Sequence, residues 1–158
     1  MADLHPNALA VQQAAAELGL EISPITFPEG TRTAEDAANA IGCSIGQIVK
    51  SLIFSADGEI VVALVSGSNQ LDERKLAAAC GAAKTKRADA DSVRNATGYP
   101  IGGVPPFGHA TALRCFVDPD LLVHDVVWAA AGTPHSVFAI APDHLVSAIG
   151  AVVSDLRR

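Results

Sequence analysis

The sequence predicts a mixed α/β fold, with residues 1–158 forming a single domain. Segments with helix-capping residues alternate with short apolar segments that are typical of strands. Asp57 and Gly58 stand between two of the apolar segments, which indicates a β-hairpin. Hydrophobic residues make up 49% of the chain, so a domain of this length can bury a sizeable core.

The first half of the chain predicts two helices and a β-hairpin, with most boundaries marked by a capping side chain, a glycine or a proline. In order, the predicted elements are a helix capped by Asn7 and continuing through Glu17, a strand over 22–27 ended by Pro28, a helix over 34–41 between Thr33 and Gly42, a further turn capped by Ser44, and hairpin strands over 49–55 and 59–66.

The second half predicts more helices and strands around two loops of small residues. In order, these are a helix over 73–80 capped by Asp72, a helix over 88–97 ended by Gly98, the loop 98–108, a strand over 111–117, a turn at 118–120, an apolar segment over 123–130, the loop 131–135, a strand over 136–140 and a helix over 142–156.

Composition excludes several classes of protein. No apolar segment approaches the roughly 20 residues of a membrane span, and no export signal is visible at the N-terminus. The three cysteines are widely spaced, which favours reduced thiols in the cytoplasm over disulfides or a metal site. We therefore expect a cytoplasmic protein without cofactor or metal, and without a membrane partner.

The net charge of −6 argues against binding nucleic acid through overall electrostatics, and we expect no DNA partner. It does not exclude a local basic patch. The basic residues concentrate at Arg74, Lys75, Lys84, Lys86 and Arg87. This cluster is either a solvated face or a footprint for a polynucleotide backbone beside the loop 98–108.

The loop 98–108 is the first candidate site. Its four glycines and three prolines disfavour both helix and strand. Gly102 and Gly103 leave the backbone open to a ligand, while Pro105 and Pro106 restrict the chain. Main-chain N–H groups in such a loop can bind an oxyanion or a phosphate. The alternative is a rigid surface turn.

Lys50 is the second candidate, because it lies in an apolar strand predicted to be buried on both faces. Its ammonium group either reaches solvent at an edge or projects into a pocket. In a pocket it could hold a phosphate, a carbonyl group or a developing oxyanion. His135 stands out among the histidines, since it lies in the second loop, where it is either a surface residue or a group with a hydrogen-bonding or acid/base role.

No motif for an internal nucleophile, a nucleotide-phosphate loop or a zinc site is present. Four segments, however, resemble the YbaK and prolyl-tRNA-synthetase-associated editing domains, and the likeness extends over roughly residues 25–148. They are 31–38, 47–54, 70–76 and 97–108. The resemblance implies a barrel-like mixed sheet flanked by helices. It also implies hydrolysis, in trans, of an amino acid wrongly esterified to the 3′ end of a tRNA, most often the tRNA for proline.

The resemblance also implies the site. The family's strand lysine matches Lys50, and its Gly-x-x-x-Pro loop matches Gly102 to Pro106. We predict that the N–H groups of residues 102–104 face the ester carbonyl or its oxyanion, and that Lys50 holds the terminal adenosine. Lys50 and Gly102 are thus the predicted catalytic residues, and the predicted substrate-binding residues are Ser51, Gly103, Val104, Pro106, Gly132, Thr133 and His135. Water or a ribose hydroxyl would be the nucleophile.

The substrate and partners follow the same resemblance. Ala130 and Val137 stand where the cysteinyl-tRNA deacylase branch carries serine and aspartate, so alanine or another small amino acid fits as well as cysteine. We expect a monomer that acts on the 3′ end of a mischarged tRNA, with prolyl-tRNA synthetase as a further partner. Two alternatives are a non-catalytic module that binds tRNA or synthetase, and a hydrolase of small aminoacyl or nucleotide esters.

Overall fold

The computed structural model describes residues 4–27 and 33–158, and along them helices and strands interleave. The helices are α1 (Pro6–Glu17), α2 (Ala34–Ile41), α3 (Glu73–Cys80), α4 (Ala90–Thr97) and α5 (Pro142–Ile149). The strands are β1 (Ile25–Thr26), β2 (Val49–Ala56), β3 (Glu59–Ser66), β4 (Thr85–Arg87), β5 (Arg114–Val117), β6 (Val127–Ala130), β7 (Ser136–Ile140) and β8 (Val152–Val153). Single 3-10 turns lie at Ile45–Gln47 and Pro119–Leu121.

The strands form two sheets. The larger has the order β4-β2-β3-β5-β8, with antiparallel pairs around β2 and parallel pairs around β5. The smaller, β1-β7-β6, is antiparallel, and a bridge between Ile48 and Trp128 links the two sheets. The mixed α/β prediction is confirmed. Along the described residues, the strands predicted to form one barrel-like sheet form two sheets that do not close.

Local sequence signals set the hairpin between β2 and β3. Asp57 and Gly58 both have positive φ, 50° and 93°, as a two-residue hairpin turn requires. The strands pair from Ala56 opposite Glu59 to Val49 opposite Ser66. The predicted hairpin is therefore present, and it fixes which residues of β2 share a face.

Side-chain caps set the predicted starts of α2 and α3. The Thr33 hydroxyl accepts from the Asp36 N–H at 3.0 Å, and the Asp72 carboxylate accepts from the Arg74 and Lys75 N–H groups at 2.9 and 3.2 Å. The predicted turn after Ser44 is also formed, with the Ser44 N–H donating to Gln47 Oε1 at 3.1 Å.

The predicted cap of α1 is wrong by two residues. The helix begins at Pro6, whose fixed φ suits the first helical position, so His5 is the cap and its Nδ1 accepts from the Asn7 N–H at 3.0 Å. The Asn7 side chain instead donates to the Gly132 carbonyl at 2.9 Å. This contact attaches α1 to the second loop.

Other boundaries differ from the prediction. Strand pairing depends on residues far away in the sequence, and the ends of two helices are set by a local cap or glycine other than the predicted one. The strand predicted over 22–27 is limited to β1, since Pro24 has no N–H to donate, and Pro28 lies outside the described residues. The helix predicted over 88–97 begins at Ala90 after the Asp89 cap. The closing helix stops at Gly150, which has φ 63°, and β8 then pairs with β5.

One further predicted boundary needs correction, and two segments for which the sequence predicts no strand form strands. The strand predicted over 111–117 begins at Arg114, and the apolar segment 123–130 forms a strand only over β6. The basic segment around residue 86, for which no strand was predicted, forms β4 by pairing with the outer side of β2. An exposed, charged edge strand carries little apolar signal in the sequence.

The core lies on both faces of the larger sheet. Val49 and Ile53 belong to the cluster that includes Phe138, whereas Phe54 and Ala56 pack in a second cluster on the opposite face. Alternation along β2 therefore places apolar groups on both faces, as the sequence predicts. Within residues 4–27 and 33–158, no helix has the length and apolar character to cross a membrane.

A glycine in the turn after β3 permits a close contact with the preceding turn. An ideal Cβ at Gly67 would lie 2.4 Å from the Ile45 carbonyl oxygen and 2.9 Å from the Ala34 Cβ. Gly67→Ala should therefore lower the free energy of unfolding by about 1–3 kcal/mol, the usual cost of overpacking. Urea unfolding followed by circular dichroism measures this change.

Gly46→Ala is the matched control, because the nearest atom to its ideal Cβ is the far end of the His124 side chain at 3.2 Å. That side chain can move at little cost. Equal stability of the two variants would contradict the close-contact explanation.

Candidate functional site

One cavity brings together groups from β2, the loop 98–108 and the second loop. Its volume is about 510 Å³, within the range of small-molecule sites. Of the predicted site residues, those that line it are Lys50, Ser51, Gly102, Val104 and Thr133. Those outside the lining are Gly103, Pro106, Gly132 and His135. The strand lysine and the glycine loop thus open onto the same space.

Lys50 is half-buried, and its ammonium group donates a hydrogen bond to the main-chain carbonyl of Asn69. Burial lowers the pKa of Lys50, the positive charge of Arg87 lowers that pKa further, and the negative charge of Asp118 opposes both effects. Within the described part of the chain, no carboxylate forms an ion pair with Lys50. The positive charge of Lys50, a residue of the cavity lining, therefore has no direct counter-ion among these residues.

The loop 98–108 begins with a tight turn. The Gly103 N–H donates to the Pro100 carbonyl at 2.9 Å, and Gly102 has φ 87°. Residues 100–103 therefore form a β-turn, and the positive φ at its third residue, Gly102, is one that favours glycine. The Gly103 N–H is therefore used inside the loop. Among the described residues, the N–H groups of Gly102 and Val104 have no acceptor.

The rest of this loop is held by burial. Val104, Pro106 and Phe107 are buried, and the Phe107 ring lies 5.6 Å from that of Phe138. His109 Nε2 lies 2.7 Å from the Pro105 carbonyl oxygen, and burial lowers the pKa of His109. A neutral His109 ring can donate from Nε2 to this carbonyl, and the hydrogen bond then fixes the second half of the loop, from Pro105 onward.

The second loop packs directly on the first. An ideal Cβ at Gly103 would lie 2.8 Å from the Thr133 Cα and 3.0 Å from the Gly132 carbonyl carbon, so only glycine allows this approach. Thr133 donates from Oγ1 to the Ser136 hydroxyl at 2.9 Å. His135 is exposed, and its N–H donates to the Thr133 hydroxyl at 3.1 Å. Gly103 and Gly132 thus join the loops behind the cavity.

Ser51 presents a hydroxyl group that lacks a partner. Its Oγ is inaccessible to solvent and makes no hydrogen bond to the described residues, although the residue lines the cavity. Buried hydroxyl groups are normally paired. The Ser51 hydroxyl is thus a buried group beside the cavity that is left unpaired among the described residues.

Sequence reasoning missed several residues of the cavity and its support. Arg87 and Trp128 line the cavity, and Asn69 holds Lys50. Arg87 carried a signal as part of the basic cluster, but nothing local placed it opposite β2. The contact with Asn69 depends on the turn after β3 folding back, which the polar segment 66–69 alone does not predict.

The chemistry of the described residues does not point to a metal centre. No group of three or more histidine, cysteine, aspartate or glutamate side chains is arranged to hold a metal ion in the described ranges. The residues that line the cavity carry instead the cationic groups of Lys50 and Arg87, the main-chain N–H groups of Gly102 and Val104, and several hydroxyl groups. These are donors suited to a carbonyl oxygen, a phosphate or a sugar.

Comparison with known proteins identifies a family and several relatives. Residues 28–148 match the aminoacyl-tRNA editing domain family. The protein YwhH of Bacillus subtilis is 33% identical over 120 residues, which are 75% of this chain and 76% of YwhH. A proline–tRNA ligase of Desulforamulus reducens is 34% identical over 120 residues, covering 75% of this chain but 21% of the ligase.

The structural comparison extends over nearly the whole chain. A solved structure described provisionally as a trans-editing enzyme for prolyl tRNA synthetase has a TM-score of 0.94 and 43% identity, covering 99% of both chains. The family resemblance seen in the sequence is thereby confirmed. Because the family match takes in most of its length, the chain belongs to the aminoacyl-tRNA editing domain family.

Proposed function

We propose that this chain acts in trans as a deacylase, hydrolysing the ester between a small amino acid and the 3′ end of a mischarged tRNA, in the first place the tRNA for proline. The observation that carries the proposal is the cavity shared by Lys50, Ser51 and the turn at Gly102. The similarity to proline–tRNA ligases and to a provisional trans-editing enzyme supports the choice of tRNA.

The donors of the cavity match the demands of ester hydrolysis. An aminoacyl ester is already activated, so a positioned water or ribose hydroxyl can attack it without a nucleophile from the protein. The N–H groups of Gly102 and Val104 stabilise the oxyanion. Lys50 holds the phosphate or ribose of the terminal adenosine, and Ser51, the next residue of β2, lines the cavity beside it as part of the substrate-binding wall.

The wall formed by β6 and β7 selects a small amino acid. Ala130 and Val137 are directly paired across these strands, and both line the cavity beside Thr133. Two apolar side chains there offer no hydrogen bond to a thiol, which favours alanine over cysteine. Gly132 and His135 support this wall from the second loop, and Gly103 and Pro106 hold the first loop in place.

Lys50→Met tests the proposal, because it removes the charge and keeps most of the apolar length of the side chain. We expect the wild type to release alanine from mischarged tRNA for proline, and the variant to lose roughly 100-fold or more of the rate, as for other lost electrostatic contacts. The measurement is release of radiolabelled amino acid from a panel of mischarged tRNAs.

Arg114→Met is the control, since Arg114 pairs with Glu59 at an exposed site at the start of β5, outside the cavity lining, and should keep full activity. Full activity in Lys50→Met would remove Lys50 from the site. Binding of tRNA without any release would favour the non-catalytic module. Equal turnover of free aminoacyl esters would favour the small-ester hydrolase.

The rate should also depend on the protonation of Lys50. A charged ammonium is present below the pKa of Lys50 and is lost as the pH rises through it. Because burial and Arg87 lower this pKa, kcat corrected for uncatalysed hydrolysis should fall at a pH below the ordinary lysine value of 10.5. Rate profiles against pH measure this limb.

Arg87→Ala sharpens the test, because it removes the like charge that lowers the pKa of Lys50. The alkaline limb of kcat should then move to higher pH. A limb that stays in place in this variant would show that the profile reports another group.

A further inference from the structure

The main-chain carbonyl that accepts a hydrogen bond from Lys50 belongs to Asn69, whose side chain is itself bonded to two carboxylates. Asn69 accepts from the Lys50 ammonium through its main-chain oxygen. Its side-chain amide donates to Asp118 Oδ2 at 2.7 Å and to Asp120 Oδ2 at 2.8 Å. Asn69 therefore links Lys50 to two carboxylates, although neither carboxylate forms a hydrogen bond or an ion pair with Lys50.

Asp118 is the fixed point of this arrangement. It is fully buried, its Oδ2 also accepts from the Ser66 N–H at 3.1 Å, and its Oδ1 accepts from the Asp120 N–H at 2.9 Å. The parallel pairing of β3 and β5 brings the ends of both strands to one edge, where the Asp118 N–H donates to the Leu64 carbonyl at 2.8 Å. The topology thus places this carboxylate behind the turn 66–69.

The path of the turn does not by itself require the Asn69 side chain. The Asn69 N–H donates to the Ser66 carbonyl at 2.9 Å, and the Gly67 N–H donates to the Ile48 carbonyl at 2.8 Å, so main-chain bonds already close the turn. What the amide adds is a fixed orientation for residue 69. Its main-chain oxygen is the acceptor for Lys50.

We propose that Asn69 and Asp118 are positioning residues, which aim the Lys50 ammonium into the cavity while leaving its charge unneutralised. The effect of this positioning on catalysis rests on the proposed function. A neutral carbonyl takes one of the three N–H groups of the ammonium and leaves two for the substrate. A carboxylate in the same place would form an ion pair with Lys50 and compete with the substrate.

The surrounding charges agree with this role. Asp118 acts on Lys50 from a distance and raises its pKa, against the lowering by burial and by Arg87 of β4. Glu35 of α2 also lines the cavity, and Asp120 is bonded to Arg157 at 3.1 Å. Asp118 thereby favours the charged form of the lysine without contacting it.

The first test needs no substrate. In protein carrying isotope-labelled lysine, NMR follows the titration of Lys50, assigned by the loss of its signal in Lys50→Met. Asn69→Ala keeps the main-chain carbonyl of residue 69 but removes the amide that fixes its orientation, so its hydrogen bond to the ammonium should weaken and Lys50 should titrate at lower pH than in the wild type. Asp118→Asn should move the titration in the same direction, because a negative charge is removed.

Asn95→Ala is the matched control, since it removes an exposed amide on α4 and should leave the Lys50 titration unchanged. Asp118→Asn changes a fully buried group, so if it does not fold, Asn69→Ala decides alone. An unchanged Lys50 titration in folded Asn69→Ala would overturn the proposal, because it would show that the Asn69 amide is not needed to orient the carbonyl that accepts from Lys50.

The second test measures deacylation. We expect Asn69→Ala to lower kcat on the order of tenfold with KM within about twofold of the wild type, because the ammonium is misplaced while most substrate contacts remain. A rise in KM alone would contradict positioning. Absence of release by the wild type on every mischarged tRNA would overturn the proposed function, and the titration would still decide whether Asn69 and Asp118 orient Lys50.

Discussion

The cost of burying the ammonium group of Lys50 is the constraint on which the site depends. A half-buried charge needs hydrogen-bond partners, yet an adjacent carboxylate would neutralise it. The structure meets both requirements with a main-chain carbonyl, which is held in place by the amide of Asn69 and the buried carboxylate of Asp118. The parallel pairing of β3 and β5 is what makes this arrangement available.

The opposite wall of the cavity depends on close packing between two loops. Gly103 has no side chain to separate it from the backbone at Thr133, and the turn closed by the Gly103 N–H leaves the N–H groups on either side free among the described residues. Main-chain donors fixed in this way stabilise a developing charge without reorganising. Lys50, Ser51 and these two N–H groups all belong to residues that line one cavity, and the proposed ester hydrolysis rests on that arrangement.

Much of the fold could be predicted where the signal is local. The hairpin at Asp57 and Gly58, the bounds of α2 and α3, and β7 follow from turn residues, capping side chains and apolar segments within a few positions of each other. Strands β4 and β8 escaped prediction because each exists through pairing with a distant strand. The end of α5 at Gly150 did carry a local signal, which the apolar residues after it obscured.

The site could be predicted in part for the same reason. Lys50, Ser51 and the loop 98–108 were identified from composition and from the likeness to a family, and the structure places several of them around one cavity. The support by Asn69 and Asp118 could not be foreseen, because it depends on the parallel pair β3 and β5, separated by residues 67–113. The use of the Gly103 N–H within its own turn likewise appears only once the loop is folded.

The most direct measurement is a crystal structure of this protein with a non-hydrolysable alanyl-adenosine analogue, in which an amide replaces the ester at the ribose. The account predicts that the analogue's carbonyl oxygen lies within hydrogen-bonding distance of the Gly102 or Val104 N–H, with its adenosine portion contacting Lys50. An analogue bound away from the 510 Å³ cavity, or bound there with its carbonyl turned away from the loop, would contradict the account.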